Sequence, residues 1–471
     1  MRIKEVAKRI KLPARASIYY LVASAVGKAV SFVITPFATR LLDKEDFGQF
    51  SLYMAILGGV SVLCSALTSS SAIYKGLKKN EKSKEEYLRS VLGVNIVFSL
   101  FICLLLLAFM PYLKLKRFLL IPMAIQILCD GIIAISMSAK RFDYKYRTVA
   151  LVSVISAVLP PVMAILILQR WGGGYRVRIY CLLLVSLFLA AYSLTKLFKG
   201  GVIMRSAHIK EIIRSSSALL PHSLSSALSV QADKLFITAL MGAAALAKYT
   251  VVYSLGIALQ FTVSAIGAAL TPWIIRRLDA GEERRISSLI LPMVVGYCAL
   301  SLCLVAIAPE AMLILAPRDY LEALPAILPI ALSTPLYFVS TVTTVGITHS
   351  GRGRYTVIIS FVSTLLCIIL NYTLIRKFGF MGAGIVTLIC QGVTALLGVI
   401  FLGRVRLGDM LSLKKIALPC LASWGVGVII YSLKESVVPR IILLALPAVM
   451  LLYCLKRAGG LLLEKSSKSV P

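Results

Sequence analysis

Two short stretches place charge inside otherwise apolar runs. In "SAVGKAVSF" the charge is Lys28, and in "LSVQADKLF" Asp233 and Lys234 stand side by side. Asp130, in "IQILCDGII", is the other acid at such depth, and Arg40 closes the first run in "PFATR". A charge at the centre of a membrane-spanning helix costs about 2.5–3.5 kcal/mol on insertion scales, so each must face water, a partner or a ligand. Helix neighbours point about 100° apart, so Asp233 and Lys234 cannot satisfy one another well. Three kinds of chemistry are open to this set. Lys28, Lys234 and Arg40 can hold an anion, Lys28 can bridge to Asp233, and Asp130 can carry a proton or a sodium ion. Lys234 has the further option of snorkelling to the outer surface, Arg40 of meeting lipid phosphate, and Asp130 of a hydrogen-bonded packing role. Gln126, Gln231, Gln260, Asn371 and Gln391 are neutral polar residues in such runs, suited to interhelical hydrogen bonds or to sugar.

The elements that must position these residues are membrane helices. Of the 471 residues 59% are hydrophobic and 15% charged, where a soluble domain is nearer half and a quarter. Apolar runs of about 18–25 residues recur along the chain, each long enough to cross about 30 Å of hydrocarbon. The expected fold is all-α and polytopic. It has fourteen spans near 17–39, 48–72, 89–112, 118–137, 148–168, 178–197, 215–239, 247–271, 287–309, 324–346, 355–375, 381–402, 414–433 and 439–455. Residues 1–16 carry six Lys/Arg and no short apolar core with a cleavage site, so the first span is expected to be an uncleaved anchor. Prolines interrupt several spans. Pro36 in the first is a hinge candidate, and Pro325, Pro329 and Pro335 make the tenth the best one.

Charge orients the bundle. With the termini and the loops after even-numbered spans on one side, that side holds 35 of the 51 Lys/Arg and the other 14, with Lys28 and Lys234 inside spans. The positive-inside rule makes both termini cytoplasmic. The net charge of +31 is thus spread over short loops facing an anionic leaflet, which argues against nucleic-acid binding. The ten cysteines form no Cys-x-x-Cys or Cys/His cluster, so neither a metal site nor a structural disulfide is expected.

The chain also repeats itself. "TRLLDKEDFGQFSLYMAI" from Thr39 corresponds to "TALMGAAALAKYTVVYSL" from Thr238, an offset of about 199 residues. "ILQRWGGG" (167–174) corresponds to "LIRKFGFMG" (374–382), an offset of about 207. Each half has six spans, an even number, which makes the repeats parallel, as in known transporters with a substrate site between halves. The expected organisation is residues 1–200, residues 201–403 and an added helix pair with its tail at 404–471.

Four features then resemble the polysaccharide-transporter branch of the multidrug/oligosaccharidyl-lipid/polysaccharide exporter superfamily, which includes O-antigen, capsule and lipid II flippases. They are "ITPFATRLLDKEDFGQFSL" (34–52), "LPHSLSSALSVQADKLFITALMGAAALAKYTVVYSL" (220–255), "SGRGRYTVIISFVSTLLCIILNYTLIRKFGFMGAGIVTL" (350–388) and the fourteen-span layout. Together they cover roughly residues 15–400. The chain departs in "AKY" (247–249), where a Gly before the Tyr is common.

The resemblance implies a V-shaped two-lobe bundle whose cleft opens alternately to either side of the bacterial cytoplasmic membrane. Its cargo would be a polyprenyl-pyrophosphate-linked oligosaccharide. The first helix of each half would line the cleft, placing Lys28, Asp233, Lys234 and Arg40 toward a pyrophosphate headgroup. Asp130 is the candidate for H⁺ or Na⁺ coupling, with no other cofactor expected. Expected partners are the lipid-linked oligosaccharide, membrane lipids and a polysaccharide polymerase or glycosyltransferases. A lipid II or sporulation-type peptidoglycan-precursor flippase is the alternative. A drug or cation exporter would need an acidic cleft. A membrane enzyme would need a sizeable outer loop or a His/Asp catalytic pair, and the longest outer segment, "APEAMLILAPRDYLEAL", is short.

Overall fold

The computed structural model describes residues 2–67, 70–80, 83–113, 116–197, 205–217, 220–434 and 436–463. The α-helices run in the order α1 (Arg2–Leu41), α2 (Lys44–Leu67), α3 (Ser70–Lys79), α4 (Lys84–Leu113), α5 (Leu120–Phe142), α6 (Tyr146–Trp171), α7 (Gly174–Leu197) and α8 (Ser206–Ser217). They continue with α9 (Leu220–Met241), α10 (Ala243–Asp279), α11 (Glu283–Leu315), α12 (Ile327–Leu332), α13 (Thr334–His349), α14 (Arg354–Arg404), α15 (Leu413–Ser432) and α16 (Val437–Leu463). No strand occurs among the described residues. The expected all-α, multi-pass architecture is what the chain forms.

Among the described residues, eleven helical segments are long and apolar enough to cross a membrane. One of them, α14, is two spans in a row, because Gly379 takes φ +56° and ψ −130° inside it. Only a residue without a Cβ turns the chain this way at low cost. With α14 taken as two, and with α9 and α16, the described helices match the fourteen expected spans one for one. The second expected span ends early. The stretch from Ser70 forms a separate helix, α3, because Ile73 and Leu77 fall four residues apart and both are buried, at 1% exposure.

The chain divides into two compact units, Met1–Ala247 and Lys248–Pro471. Within the first, α1 packs on α6 and α2 packs on both α5 and α9. A Cβ at Gly27 would stand 3.2 Å from that of Ala157, which shows how closely α1 and α6 approach. The amphipathic α8 is clamped to α3 and α4. His208 is buried with its Nδ1 3.2 Å from Ser90 Oγ and its ring edge-on to Tyr87, while Arg205–Glu86 (2.9 Å) and Lys79–Glu211 (3.3 Å) pair across the surface.

In the second unit α11 packs against α12, α13, α15 and α16. The guanidinium of Arg440 on α16, only 3% exposed, pairs with Glu310 on α11 and donates to the Ala306 carbonyl at 2.8 Å. The proline-rich tenth span is segmented: a 3-10 stretch (Arg318–Ala326) holds Pro325, α12 holds Pro329, and α13 begins at Thr334–Pro335. Gly384 of α14 lies against it, since a Cβ there would meet Pro329 Cγ at 2.6 Å and the Ala326 carbonyl at 2.8 Å.

Candidate functional site

Four of the charged residues singled out by sequence lie in the first unit around α2. Asp130 on α5 faces a cavity of about 230 Å³ lined also by Gly58 and Ser61 of α2, Gln126 of α5, Ser156 of α6 and Ser186 of α7. Gln126 Nε2 donates to Asp130 Oδ1 at 2.8 Å and approaches Ser186 Oγ at 2.7 Å. Tyr53 on α2 is fully buried within electrostatic reach of Asp130, and its hydroxyl meets no hydrogen-bond partner among the described residues. Its polar lining is one carboxylate, an amide and three hydroxyls, and Met54, Leu57 and Leu182 complete the wall. The carboxylate, amide and hydroxyls suit a proton or a hard monovalent cation. No group of three or more His, Cys, Asp or Glu with metal-binding geometry occurs among the described residues.

On its other side α2 meets α9. Gly58 makes this contact close, for a Cβ there would stand 2.9 Å from Gln231 Nε2. Gln231 Oε1 in turn accepts from Lys234 Nζ at 3.0 Å, one helical turn along. Asp233 is buried, and its Oδ1 accepts the Lys234 backbone N–H at 2.8 Å. Lys28 on α1 is exposed and near enough to Lys234 for the two ammonium charges to repel. Among the described residues no ion pair joins Lys28 to Asp233; the residue that feels the Lys28 charge is Lys234. Lys234 is thus held by Gln231, and Gly58 of α2 joins the two places, lining the Asp130 cavity and meeting Gln231.

The remaining candidates lie apart from this arrangement or bear on it indirectly. Arg40 ends α1, where its Nη1 donates to the Pro36 carbonyl at 3.0 Å, and Thr39 Oγ1 donates to the same oxygen at 3.2 Å. Pro36 thus leaves its carbonyl two side-chain donors at the helix end. Pro325, Pro329 and Pro335 belong to the second unit. Nine cysteines are free thiols among the described residues, and the side chain of Cys64 lies outside them. Sequence reasoning singled out Gln126 and Gln231 but missed Tyr53, Ser61, Ser156 and Ser186. Serine and tyrosine are common in apolar helices, so only their convergence in space sets them apart.

A helical multi-pass membrane protein with charged and polar groups on its apolar helices is the class that this fold and site define. The chain belongs to the family described as polysaccharide biosynthesis protein, whose family model matches residues 14–278. Among curated proteins none matches the sequence. Among solved structures, the fold is shared with the lipid II flippase MurJ in an inward closed conformation, at 15% identity and TM-score 0.71 over 94% of this chain and 99% of that one. It is shared with an inward-facing multidrug resistance MATE family transporter of the MOP superfamily, at 15% identity and TM-score 0.56 over 83% and 95%. A MOP superfamily transporter from Pyrococcus furiosus matches at 16% identity and TM-score 0.58 over 85% and 96%. The expected family and fold are both borne out.

Proposed function

We propose that this protein is a flippase. It moves a polyprenyl-pyrophosphate-linked oligosaccharide across the bacterial cytoplasmic membrane by alternating access, with both termini cytoplasmic, for cell-surface polysaccharide synthesis. The observation that supports this reading is that Lys28 and Lys234 stand on the apolar helices α1 and α9 of one unit in a member of a polysaccharide biosynthesis family. Charge pairing strengthens as water is excluded, and a pyrophosphate is the part of such a cargo that two ammonium groups would grip. The protein catalyses no bond change in this scheme. Its cargo is made by glycosyltransferases and consumed by a polymerase or ligase. A second reading, transport of a peptidoglycan precursor, is supported by the extent of the fold match to a lipid II flippase. It shares the pyrophosphate chemistry and differs in the sugar.

The test is reconstitution in vesicles loaded with polyprenyl-pyrophosphate oligosaccharide, read by the access of the glycan to an impermeant oxidant or lectin. Protein-dependent exposure of the glycan is expected, with no transport of a cationic dye. Transport of the dye and none of the glycan would sink the reading in favour of a drug exporter.

Asp130 supplies the coupling step in this proposal. Its carboxylate, held by Gln126 and facing the cavity, takes up H⁺ or Na⁺ and releases it as the protein alternates. Asp130→Asn keeps size and hydrogen bonding but removes the charge. It is expected to lose the stimulation of flipping by an ion gradient, about tenfold or more, while gradient-free exchange of the cargo persists. An undiminished response to both a proton and a sodium gradient in this variant rules Asp130 out as the carrier.

A further inference from the structure

Three helices of the first unit, α2, α4 and α5, pack on one another. On α5 the residue after Asp130 is Gly131, and Asn95 of α4 lies over it: a Cβ there would stand 2.2 Å from Asn95 Oδ1 and 2.8 Å from Nδ2. On α2, Tyr53 is within electrostatic reach of Asp130 and one turn before Leu57, which lines the cavity. Tyr53 and Asn95 therefore reach the same level of α5 from two neighbouring helices.

Both side chains are fully buried, at 0% exposure. Neither the Tyr53 hydroxyl nor either polar atom of the Asn95 amide meets a hydrogen-bond partner among the described residues. The same holds for Gln126 Oε1, one turn before Asp130, and for Ser99 Oγ, one turn beyond Asn95 toward the α4–α5 turn. A buried donor or acceptor left unpaired is costly, and buried places where several such atoms converge hold ordered water.

The groups facing Asp130 favour one ion. The cavity lining holds no other ionisable side chain; α6 and α7 contribute Ser156, Leu182 and Ser186. The titratable groups that feel the Asp130 charge are the Tyr53 hydroxyl and the thiol of Cys129, its neighbour in sequence. Neither brings a charge of its own near neutral pH. Gln126 turns its Nε2 donor to the carboxylate. A donor there suits a carboxyl that gains and loses a proton, and it opposes a bare cation seated on the same oxygen.

We infer that Tyr53 and Asn95 hold a short row of water molecules against Asp130, and that the coupling ion delivered along it is a proton. The inference rests on the reading of Asp130 as the coupling residue, and it names the ion and the route. In uptake, an O–H bond of a hydronium in the row breaks and one forms on the Asp130 carboxylate, leaving neutral water; release reverses the step. The Tyr53 hydroxyl donates to one water and accepts from the next without ionising, while the Asn95 amide orients the row and passes no proton.

The experiment uses the full chain in proteoliposomes, followed by infrared spectroscopy after a step to lower pH. The carboxyl stretch that rises in wild type and is missing in Asp130→Asn is the Asp130 signal, and its rate of appearance is the readout. Sodium at fixed pH should leave it unmoved. Tyr53→Phe removes one oxygen that has no protein partner, so the variant should melt no lower than wild type. Its carboxyl signal should nonetheless rise more slowly, by about tenfold or more. Asn95→Leu, close in volume, should slow the signal likewise, and Tyr53→Phe alone decides where Asn95→Leu does not fold. A pH step that raises no signal assignable to Asp130 overturns this inference together with the coupling role of that residue. A signal from Asp130 that rises at the wild-type rate in Tyr53→Phe leaves Asp130 in its role and removes the water route. Loss of the signal on adding sodium makes sodium the ion and overturns the inference while keeping Asp130.

Discussion

Lys28→Ala abolishes glycan translocation, by about a hundredfold or more, while the protein still reaches the membrane at normal abundance. Lys28 is exposed and makes no ion pair to a protein acid among the described residues, so its ammonium is open to an anionic headgroup. Lys234 is different: Gln231 holds its ammonium, and Asp233 accepts its backbone N–H. Lys28→Arg retains part of the activity, since the charge survives while its donor geometry changes. Lys234→Ala is the milder loss, because Gln231 has already restrained that amine. The measurement is export of lipid-linked glycan in cells lacking the native protein, with membrane levels read by immunoblot. Wild-type export by Lys28→Ala at normal abundance removes the cation pair from the mechanism. A rescue of abundance and export by Lys28→Ala combined with Asp233→Ala would instead make Lys28 a structural partner of Asp233.

Gly48→Ala destabilises the protein by on the order of 3 kcal/mol, the upper part of the range for overpacking a close contact. A Cβ at Gly48 on α2 would stand 1.9 Å from the Ala243 carbonyl oxygen and 2.4 Å from its carbon, and that neighbour is backbone. The contact lies where α9 ends and α10 begins, so relief requires α2 to move away from the helix that bears Gln231, Asp233 and Lys234. Gly59→Ala is the control. The nearest atom to its Cβ is Gln231 Cγ at 3.7 Å, an ordinary contact, so the change is near neutral. Thermal unfolding of the two variants in one detergent decides the matter. Equal melting temperatures would mean that the α2–α9 approach is looser than described.

These residues also show what could be read from the chain. The spans were legible because each needs about twenty apolar residues, a requirement that leaves little freedom of composition. The helix α3 was not, because it is short and carries lysines, and its two buried apolar residues look like noise in a charged turn. Lys28, Asp130, Asp233 and Lys234 drew attention because charge at depth is costly. Tyr53 and Ser186 did not, since a hydroxyl in an apolar helix costs far less and many occur for no local reason. The expected alternative of a Lys28–Asp233 bridge depended on which of two neighbours on α9 turns toward α1. That choice belongs to packing, where Gln231 seats against Gly58 and fixes the rotation of α9 about its axis. In the same way, "GFMGAG" read as a motif acquires its reason only when Gly379 turns the chain and Gly384 admits Pro329.

The segmented stretch from Arg318 to His349 is 83% buried across its apolar window, where most other spans turn a large share of their surface outward. Lipid therefore hardly sees it. Its mutational tolerance should follow the rule of a soluble core, in which volume and shape are constrained and a small hydroxyl is admitted wherever a carbonyl can accept it. The element already uses that licence: Ser333, Ser340 and Thr343 are all buried, and each donates to a carbonyl of its own chain three or four residues back. Across homologous chains this segment would drift in hydrophobicity while keeping its side-chain volumes, the reverse of what a lipid-facing helix does.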